Sequence, residues 1–342
     1  MNATFKGAFA LAEMLVNRVR KNRRRLAPWL AREGITCYRL YDRDIPELPL
    51  AIDWYEGRLH ASAYARAGID EARHERLAAA VAALAESLGV RRDGVFLKRR
   101  VRAPGGTQYG RLARANRRFA VSEGDLRFWV NLEDFADTGL FLDHRRTRVL
   151  VRAEAAGRRV LNLFAHTGAF SVHAAAGGAR ETVSVDLSNT YLAWARDNLE
   201  LNGFRGPAHR TVRDDVIGFL AGCRRRGEGG FDLVVIDPPT VSRSKKMDGS
   251  FEVQRDHPAL IEGALALCRP GAVLYFSTNF SGFEPALPRI AGLAAEEITG
   301  RTAPPDFRAQ PHRCFRITAG ETGISDPDAR RRPRRRRSTC SP

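Results

Sequence analysis

Three aspartates stand where short apolar runs end, and each can accept hydrogen bonds from a nucleoside. Asp186 closes the run Thr182–Val185, Asp215 follows the segment near His209–Val212, and Asp237 follows Phe231–Ile236. In a doubly wound fold, ligands lie outside the carboxyl ends of the strands, so acids at those ends face the binding crevice. Asp186 is placed to accept from ribose hydroxyls and Asp215 from an exocyclic adenine amine. The turn Phe164–Gly168 offers free backbone N–H groups at a helix start. Asn162, Phe164, His166, Thr167, Gly168 and Leu187 are the candidate contacts around it. Asp237-Pro238-Pro239-Thr240 is the most specific motif. Each proline fixes φ and restricts the residue before it, so the turn is rigid and extended. It aims the carboxylate and the prolyl carbonyls at a substrate opposite the first ligand. Singly, each acid could end an ordinary strand and the prolines could merely stop one; together they outline a site.

The elements needed to hold these residues are legible around them. Val160–Phe164 reads as a strand buried on both faces, Ala169–Ala176 as a helix stopped by Gly177-Gly178, and Thr182–Val185 as the next strand. Helices are expected at Tyr191–Asn202, Val216–Cys223 and Leu260–Cys268, with a strand at Ala272–Ser277. Ala294–Thr299 and Cys314–Thr318 suit an antiparallel pair at the sheet edge. Thr138–Arg145 opens a helix to about Ala156 that delivers the chain into this α/β domain. Upstream, residues 1–35 read as one or two helices and 36–65 as a meander. Glu71–Leu88 is a helix, and 95–131 a further small sheet with turns at Pro104-Gly-Gly and Glu123-Gly124. The expected organisation is an N-terminal α+β docking module (1–135), a doubly wound domain (136–320) and a polar, disordered tail (321–342) containing Arg330–Arg337.

Charge points to the partner. Against 39 Asp+Glu stand 56 Lys+Arg, a formal net charge of +17, and such an excess suits a polyanion, most simply nucleic acid. Six of the eight residues Arg18–Arg25, Arg24 among them, are basic, a density that suits either a solvated helix face or phosphate contacts. Lys98, Arg99, Arg100, Arg102, Arg111, Arg114, Arg117 and Arg118 interleave with Tyr109, Phe119 and Trp129, a pattern of nucleic-acid surfaces unless the rings are core. Ser242–Lys246, with Lys245 and Lys246, forms a basic loop that could grip a phosphate. The five cysteines have no paired spacing, which argues against a metal site or disulfide framework and fits a reducing cytoplasm. The N-terminal apolar run, broken by Lys6 and Glu13, is too short and charged to span a membrane.

The segments FLDHR, LNLFAHTG, VDLSNTYLAWARDNLELNG, DVIGFL, FDLVVIDPPTVSRSKKM and FEVQRDH together resemble the class I S-adenosylmethionine-dependent RNA methyltransferases. More narrowly they resemble those that form 7-methylguanine in 23S ribosomal RNA. The resemblance runs from about Asn17 to about Ala319 and includes YRLYDRDIPE and EITGRTAPPDFR. It implies a Rossmann-like methyltransferase sheet with S-adenosylmethionine against Phe164–Gly168, Asp186 and Asp215, and a target base facing Asp237 and Pro238. It implies 23S rRNA or its precursor as partner and no metal or membrane. Asp143, His144 and Arg145 would close over the methionine end, or form a salt-bridged helix start. Gln254, Arg255, Asp256 and His257 would brace the substrate side. The family often forms the C-terminal half of a bifunctional protein, whose N-terminal parts this sequence is expected to lack.

Guanine N7 carries a free lone pair, so transfer to it needs alignment and electrostatics more than a base. A pyrimidine carbon needs a cysteine nucleophile; in related cytosine enzymes it follows the strand occupied here by Tyr275–Ser277, where the chain reads Ser277-Thr278-Asn279-Phe280. Alternatives are an exocyclic amine target with Asp237 accepting its protons, and a silent RNA-binding assembly factor. A dinucleotide oxidoreductase is weaker because GxGxxG is missing. The chain departs from the family at Val241, where a phenylalanine is usual, and at His166, often a tyrosine. Phe251 or Phe280 is the candidate replacement ring.

Overall fold

The computed structural model describes residues 3–65, 71–101, 115–243, 250–287 and 293–320. The expected turn at Pro104, the loop lysines Lys245 and Lys246 and the arginine tail lie outside them. Helix α1 (Ala3–Glu33) turns Leu15, Val19, Leu26 and Trp29 inward onto a four-stranded sheet. In that sheet β1 (Cys37–Asp42), β2 (Leu50–Tyr55) and β3 (Arg58–Ala65) form the expected antiparallel meander. Helix α2 (Glu71–Ser87) then carries the chain back, so β4 (Val95–Val101) lies parallel to β3. This corrects the expectation that 95–131 forms one further sheet. A helical crossover makes the parallel partner reachable for β4, and β5 (Phe119–Glu123) and β6 (Leu126–Val130) are left as a separate ribbon.

Of the expected basic–aromatic strip, Arg102, Tyr109, Arg111 and Arg114 lie outside the described residues, and the described part is changed in the same way. Lys98 is buried, with Nζ donating to the Phe135 carbonyl. Arg118 lies 5.2 Å from both the Trp129 and Trp194 rings and pairs with Asp197 at 2.7 Å. Arg58 covers Phe119 at 4.1 Å. These rings face the protein's own guanidinium groups.

A 3-10 turn, Leu142–His144, leads into α3 (Arg145–Ala153). The α/β domain follows: β7 (Arg159–Leu163), α4 (Ala169–Ala176), β8 (Glu181–Asp186), α5 (Asn189–Leu201), β9 (His209–Arg213), α6 (Val216–Arg226) and β10 (Phe231–Ile236). A short hairpin of β11 (Val241–Arg243) and β12 (Ser250–Glu252) precedes α7 (Val253–Leu265), β13 (Cys268–Thr278), β14 (Ala294–Glu297), α8 (Thr299–Thr302) and β15 (Arg313–Thr318). The sheet order is β14-β15-β13-β10-β7-β8-β9, with the five strands from β13 to β9 parallel and β15 antiparallel between β13 and β14. Central strands buried on both faces explain their near-continuous apolar runs. The chain leaves β7 toward β9, then crosses to β10 on the other side, so the order reverses between β7 and β10. A crevice opens at that reversal.

Helix α7 begins at Val253, seven residues before the expected start. His257 Nδ1 contacts the carbonyls of Val253 and Gln254 at 2.9 and 3.1 Å. The second is the carbonyl that Pro258, lacking an N–H, leaves open. The ribbon's Val121, Leu126, Phe128 and Val130 share a core with Val172 of α4, Leu199 of α5, and Cys37 and Tyr55 of the N-terminal sheet. No helix among the described residues is long and apolar enough to cross a membrane.

Candidate functional site

At the reversal point lies a cavity of about 490 Å³. Its floor is the turn after β7, where Phe164 (φ 56°) and His166 (φ 50°) take left-handed backbone conformations. Gly168 begins α4 at φ 74°, and a Cβ there would meet that of Ala195 at 2.7 Å. Only glycine combines that conformation with so close an approach. The turn orients Asp186: His166 N–H donates to Oδ2 at 2.9 Å, and Ser188 N–H to Oδ1 at 2.8 Å. Each carboxylate oxygen keeps further acceptor capacity, and Asp186 lines the cavity. Thr167 donates to the Gly139 carbonyl at 2.5 Å, and its own carbonyl accepts from Asn198 at 2.9 Å.

Asp215 also lines the cavity, but its Oδ2 accepts from Gly218 N–H at 3.0 Å, making it the N-cap of α6. Asp214 lines the cavity beside it. On one wall Asp137 lies 3.2 Å from His166 Nε2 and accepts from the Tyr191 hydroxyl at 2.7 Å. Burial opposes the Asp137 charge, but His166, Tyr191 and the Gly139 N–H outweigh it and hold the carboxyl well below its usual range.

Opposite Asp186, the motif Asp237-Pro238-Pro239 extends β10 into the cavity. The β10–β13 register sets Ile236 beside Phe276, so the next pair brings Ser277 to Asp237, and Ser277 Oγ donates to Oδ1 at 2.6 Å. His144 Nε2 lies 3.5 Å from Asp237 Oδ2 and 3.7 Å from Asp143 Oδ2. Its ring stacks on His312 at 4.3 Å and 15°, and Phe170 meets it edge-on. Burial pushes the His144 pKa below its ordinary value, with Asp237 and Asp143 pulling the other way. Burial also works against the Asp143 charge, but the facing rings of His144 and His312 hold its carboxyl below the usual range. Asp143, His144 and His312 bring three ligand-type atoms within 4.8 Å of one another. Nearly parallel stacked rings send their in-plane lone pairs along lines that do not converge on one ion. His312 Nε2 is also engaged by Thr302 Oγ1 at 3.0 Å.

The cavity thus gathers Asp143, His144, Phe164, His166, Thr167, Asp186, Leu187, Asp215, Asp237, Pro238 and Pro239. Other candidates fall elsewhere. Asn162 is buried and donates to Ser171, and Gly168 acts through the backbone. Arg145 turns away to Asp306, 2.8 Å, and the Cys37 carbonyl, 2.7 Å, because these buried acceptors require a cation. Arg24 is exposed on α1, and Arg100 lies in β4. Arg255 pairs with Asp256 at 2.7 Å, while Gln254 and His257 hold the loop at Glu284 and Ala286. That segment braces a loop and does not reach the cavity. Phe251 is buried against Phe164, and Val241 is 46% exposed. The exposed ring on the cavity wall is Phe141, at 39%. Asp137, Phe141, Tyr191 and Asp214 were not read from the sequence; the Asp-Thr-Gly turn at 137–139 and the doublet Asp214-Asp215 were the available signals.

A family profile described as S-adenosylmethionine-dependent methyltransferase matches residues 38–304. The ribosomal RNA large subunit methyltransferase K/L of Pseudomonas aeruginosa is 50% identical over 310 residues, covering 90% of this chain and 42% of that protein. The protein of that name from Chromohalobacter salexigens is 49% identical over 312 residues, with the same shares. The chain therefore spans less than half the length of these curated relatives. The crystal structure of SMU.776, a methyltransferase complexed with SAH, is 25% identical with a TM-score of 0.72, covering 90% of this chain and 82% of that one.

Proposed function

The chain belongs to the S-adenosylmethionine-dependent methyltransferase family, and from that premise we propose that it methylates N7 of a guanine in 23S ribosomal RNA or its precursor. In this reading residues 1–135 dock the RNA, 136–320 carry the reaction and the arginine-rich 321–342 add electrostatic attraction. The cavity fits the cofactor. Its volume lies within the roughly 300–1,000 Å³ of pockets that enclose ligands of that size. Its wall combines apolar Phe164, Phe170, Leu187 and Val216 with the oriented carboxylate of Asp186. Bound S-adenosylmethionine supplies a methyl group on a positively charged sulfur, already activated for transfer.

The observation that carries the reading is the environment of Asp237. Its carboxylate is fixed by Ser277 and faces the cavity beside His144, whose pKa burial lowers, while the nearby thiol of Cys314 is buried and outside the cavity lining. N7 has no proton to lose, but the guanine ring gains positive charge as the bond forms. A preorganised carboxylate stabilises that charge without reorganisation. A pyrimidine-carbon target would need a thiolate instead. Among the described residues no cysteine lines the cavity, and burial raises Cys37, Cys268 and Cys314 to about 12. In support, the relatives at about half identity are named large-subunit ribosomal RNA methyltransferases. A second reading, an exocyclic amine of guanine or adenine, is favoured by the same pair, since Asp237 and neutral His144 are both proton acceptors.

Nucleoside mass mapping of large-subunit rRNA from strains with and without the gene tests this. Loss of one 7-methylguanine on deletion is expected. Loss of an N-methylated amine nucleoside would move the target to the second reading, and an unchanged map would overturn both.

A further inference from the structure

The basic run Arg18–Arg25 takes no part in the crevice, yet the fold builds something from it. Arg18, Asn22 and Arg25 fall at i, i+4 and i+7, on one face of α1. With Asp44, Phe307 and Arg308 they line a second cavity of about 350 Å³. Three guanidinium groups there face one carboxylate, and Asp44 Oδ2 already accepts from Asn22 Nδ2 at 2.7 Å. Arg25 is oriented by the Pro305 carbonyl and Arg308 by the Arg43 carbonyl, both at 3.2 Å. Among the described residues none of the three arginines has a carboxylate within ion-pair distance. Carbonyls aim a guanidinium without cancelling its charge. Converging, uncancelled charges cost stability through mutual repulsion unless an anion enters between them. The planar fork of arginine matches the paired oxygens of a phosphate.

The cavity is tied to the crevice through one short segment. Asp306 precedes the lining pair Phe307-Arg308 and accepts from Arg145 Nη1 at 2.8 Å and from Arg39 N–H at 2.9 Å. Arg145 directly follows Asp143-His144 in the wall of the methyltransferase cavity. The Arg39 guanidinium packs over the Phe307 ring at 4.3 Å.

We propose that this pocket anchors phosphodiester groups of the substrate RNA, holding a flanking strand at a fixed distance from the target base. The proposal rests on the reading of RNA as substrate. Arg24 is not one of the anchoring residues; its neighbours Arg18 and Arg25 are.

The test uses the full chain and a large-subunit rRNA transcript, with affinity measured across a salt series. The variants are Arg18→Gln, the double variant Arg18→Gln/Arg308→Gln, and Arg226→Gln as a control, since Arg226 at the end of α6 pairs on the surface with Glu228, just past that helix, at 2.7 Å. Each phosphate contact removed should lower the slope of log affinity against log salt by about one. The double variant should therefore lose about two from that slope and at least about ten-fold in affinity at low salt. Its KM for RNA should rise while kcat at saturating RNA and S-adenosylhomocysteine affinity stay at wild-type values. The control should match wild type. Unchanged affinity and slope in the double variant would overturn the pocket while leaving the methyltransferase reading standing. Absence of salt-dependent rRNA binding by the wild-type protein would overturn both. Should the double variant also lose S-adenosylhomocysteine binding, Arg18→Gln decides alone: a slope lower by about one supports the anchor, and an unchanged slope overturns it.

Discussion

Asp237 is held by the Ser277 hydroxyl on Oδ1, and the His144 ring lies 3.5 Å from Oδ2. Asp237→Asn keeps the shape and removes the charge, so kcat should fall by about 10²-fold, the usual cost of one preorganised electrostatic contact, with S-adenosylhomocysteine affinity retained; single-turnover kinetics and calorimetry check the pair. The His144 environment sets a pH dependence. Its neighbours are Asp143, Asp237, His312 and Arg148, and burial lowers its pKa below the ordinary 6.5. It is therefore neutral at pH 7 and gains a proton only as pH falls below that value. The new charge would then sit 3.5 Å from Asp237 and offset its field. The rate should drop on the acid side, and in His144→Gln that acid limb should disappear from the pH profile. At this scale the acids at strand ends were legible, because local runs mark where strands stop. Asp137, Tyr191 and His312 were not. Tyr191 reaches Asp137 from 54 positions away, and His312 meets Asp143 across 169, pairings that no local pattern encodes.

At the scale of elements, the join between the N-terminal sheet and the seven-stranded α/β sheet depends on Arg145 and Asp306. Arg145 carries two hydrogen bonds to the fully buried Asp306 carboxylate and a third to the Cys37 carbonyl. Asp306→Ala leaves that guanidinium buried and unpaired. The expected loss is about 3–5 kcal/mol, read as a lower urea midpoint at unchanged m-value. Replacing both partners with apolar residues should cost less. The doubly wound elements were readable, since strand, glycine turn and helix each leave a local signature. The pairing of β4 was not, because alternation in 95–101 says that a strand exists but not which edge it joins; the crossover by α2 decides that. The FLDHR segment likewise showed a helix start, but the partner Asp306 that fixes the direction of Arg145 lies 161 positions on.

At the scale of the whole molecule, an acid-lined crevice is set in a chain of net charge +17. A ligand that binds only the folded chain raises its stability by about 2.7 kcal/mol at a hundred-fold excess over Kd. S-adenosylhomocysteine should thus raise the unfolding temperature by several degrees, and Asp186→Ala should abolish the shift in a thermal melt; an equal shift in that variant would move the ribose contact elsewhere. The placement of β15 has a consequence for synthesis. It is translated after β7 to β14, yet it sits between β13 and β14, and His312 at its start stacks on His144. A nascent chain that stops short of residue 312 can pair β7, β8, β9, β10 and β13, but β13 has an open edge and Asp143 lacks its second ring. The wall around Asp143 is therefore completed only after residues 312–318 have been made. Ribosome-stalled chains of increasing length should acquire protease resistance in this domain abruptly, once residue 318 has left the exit tunnel.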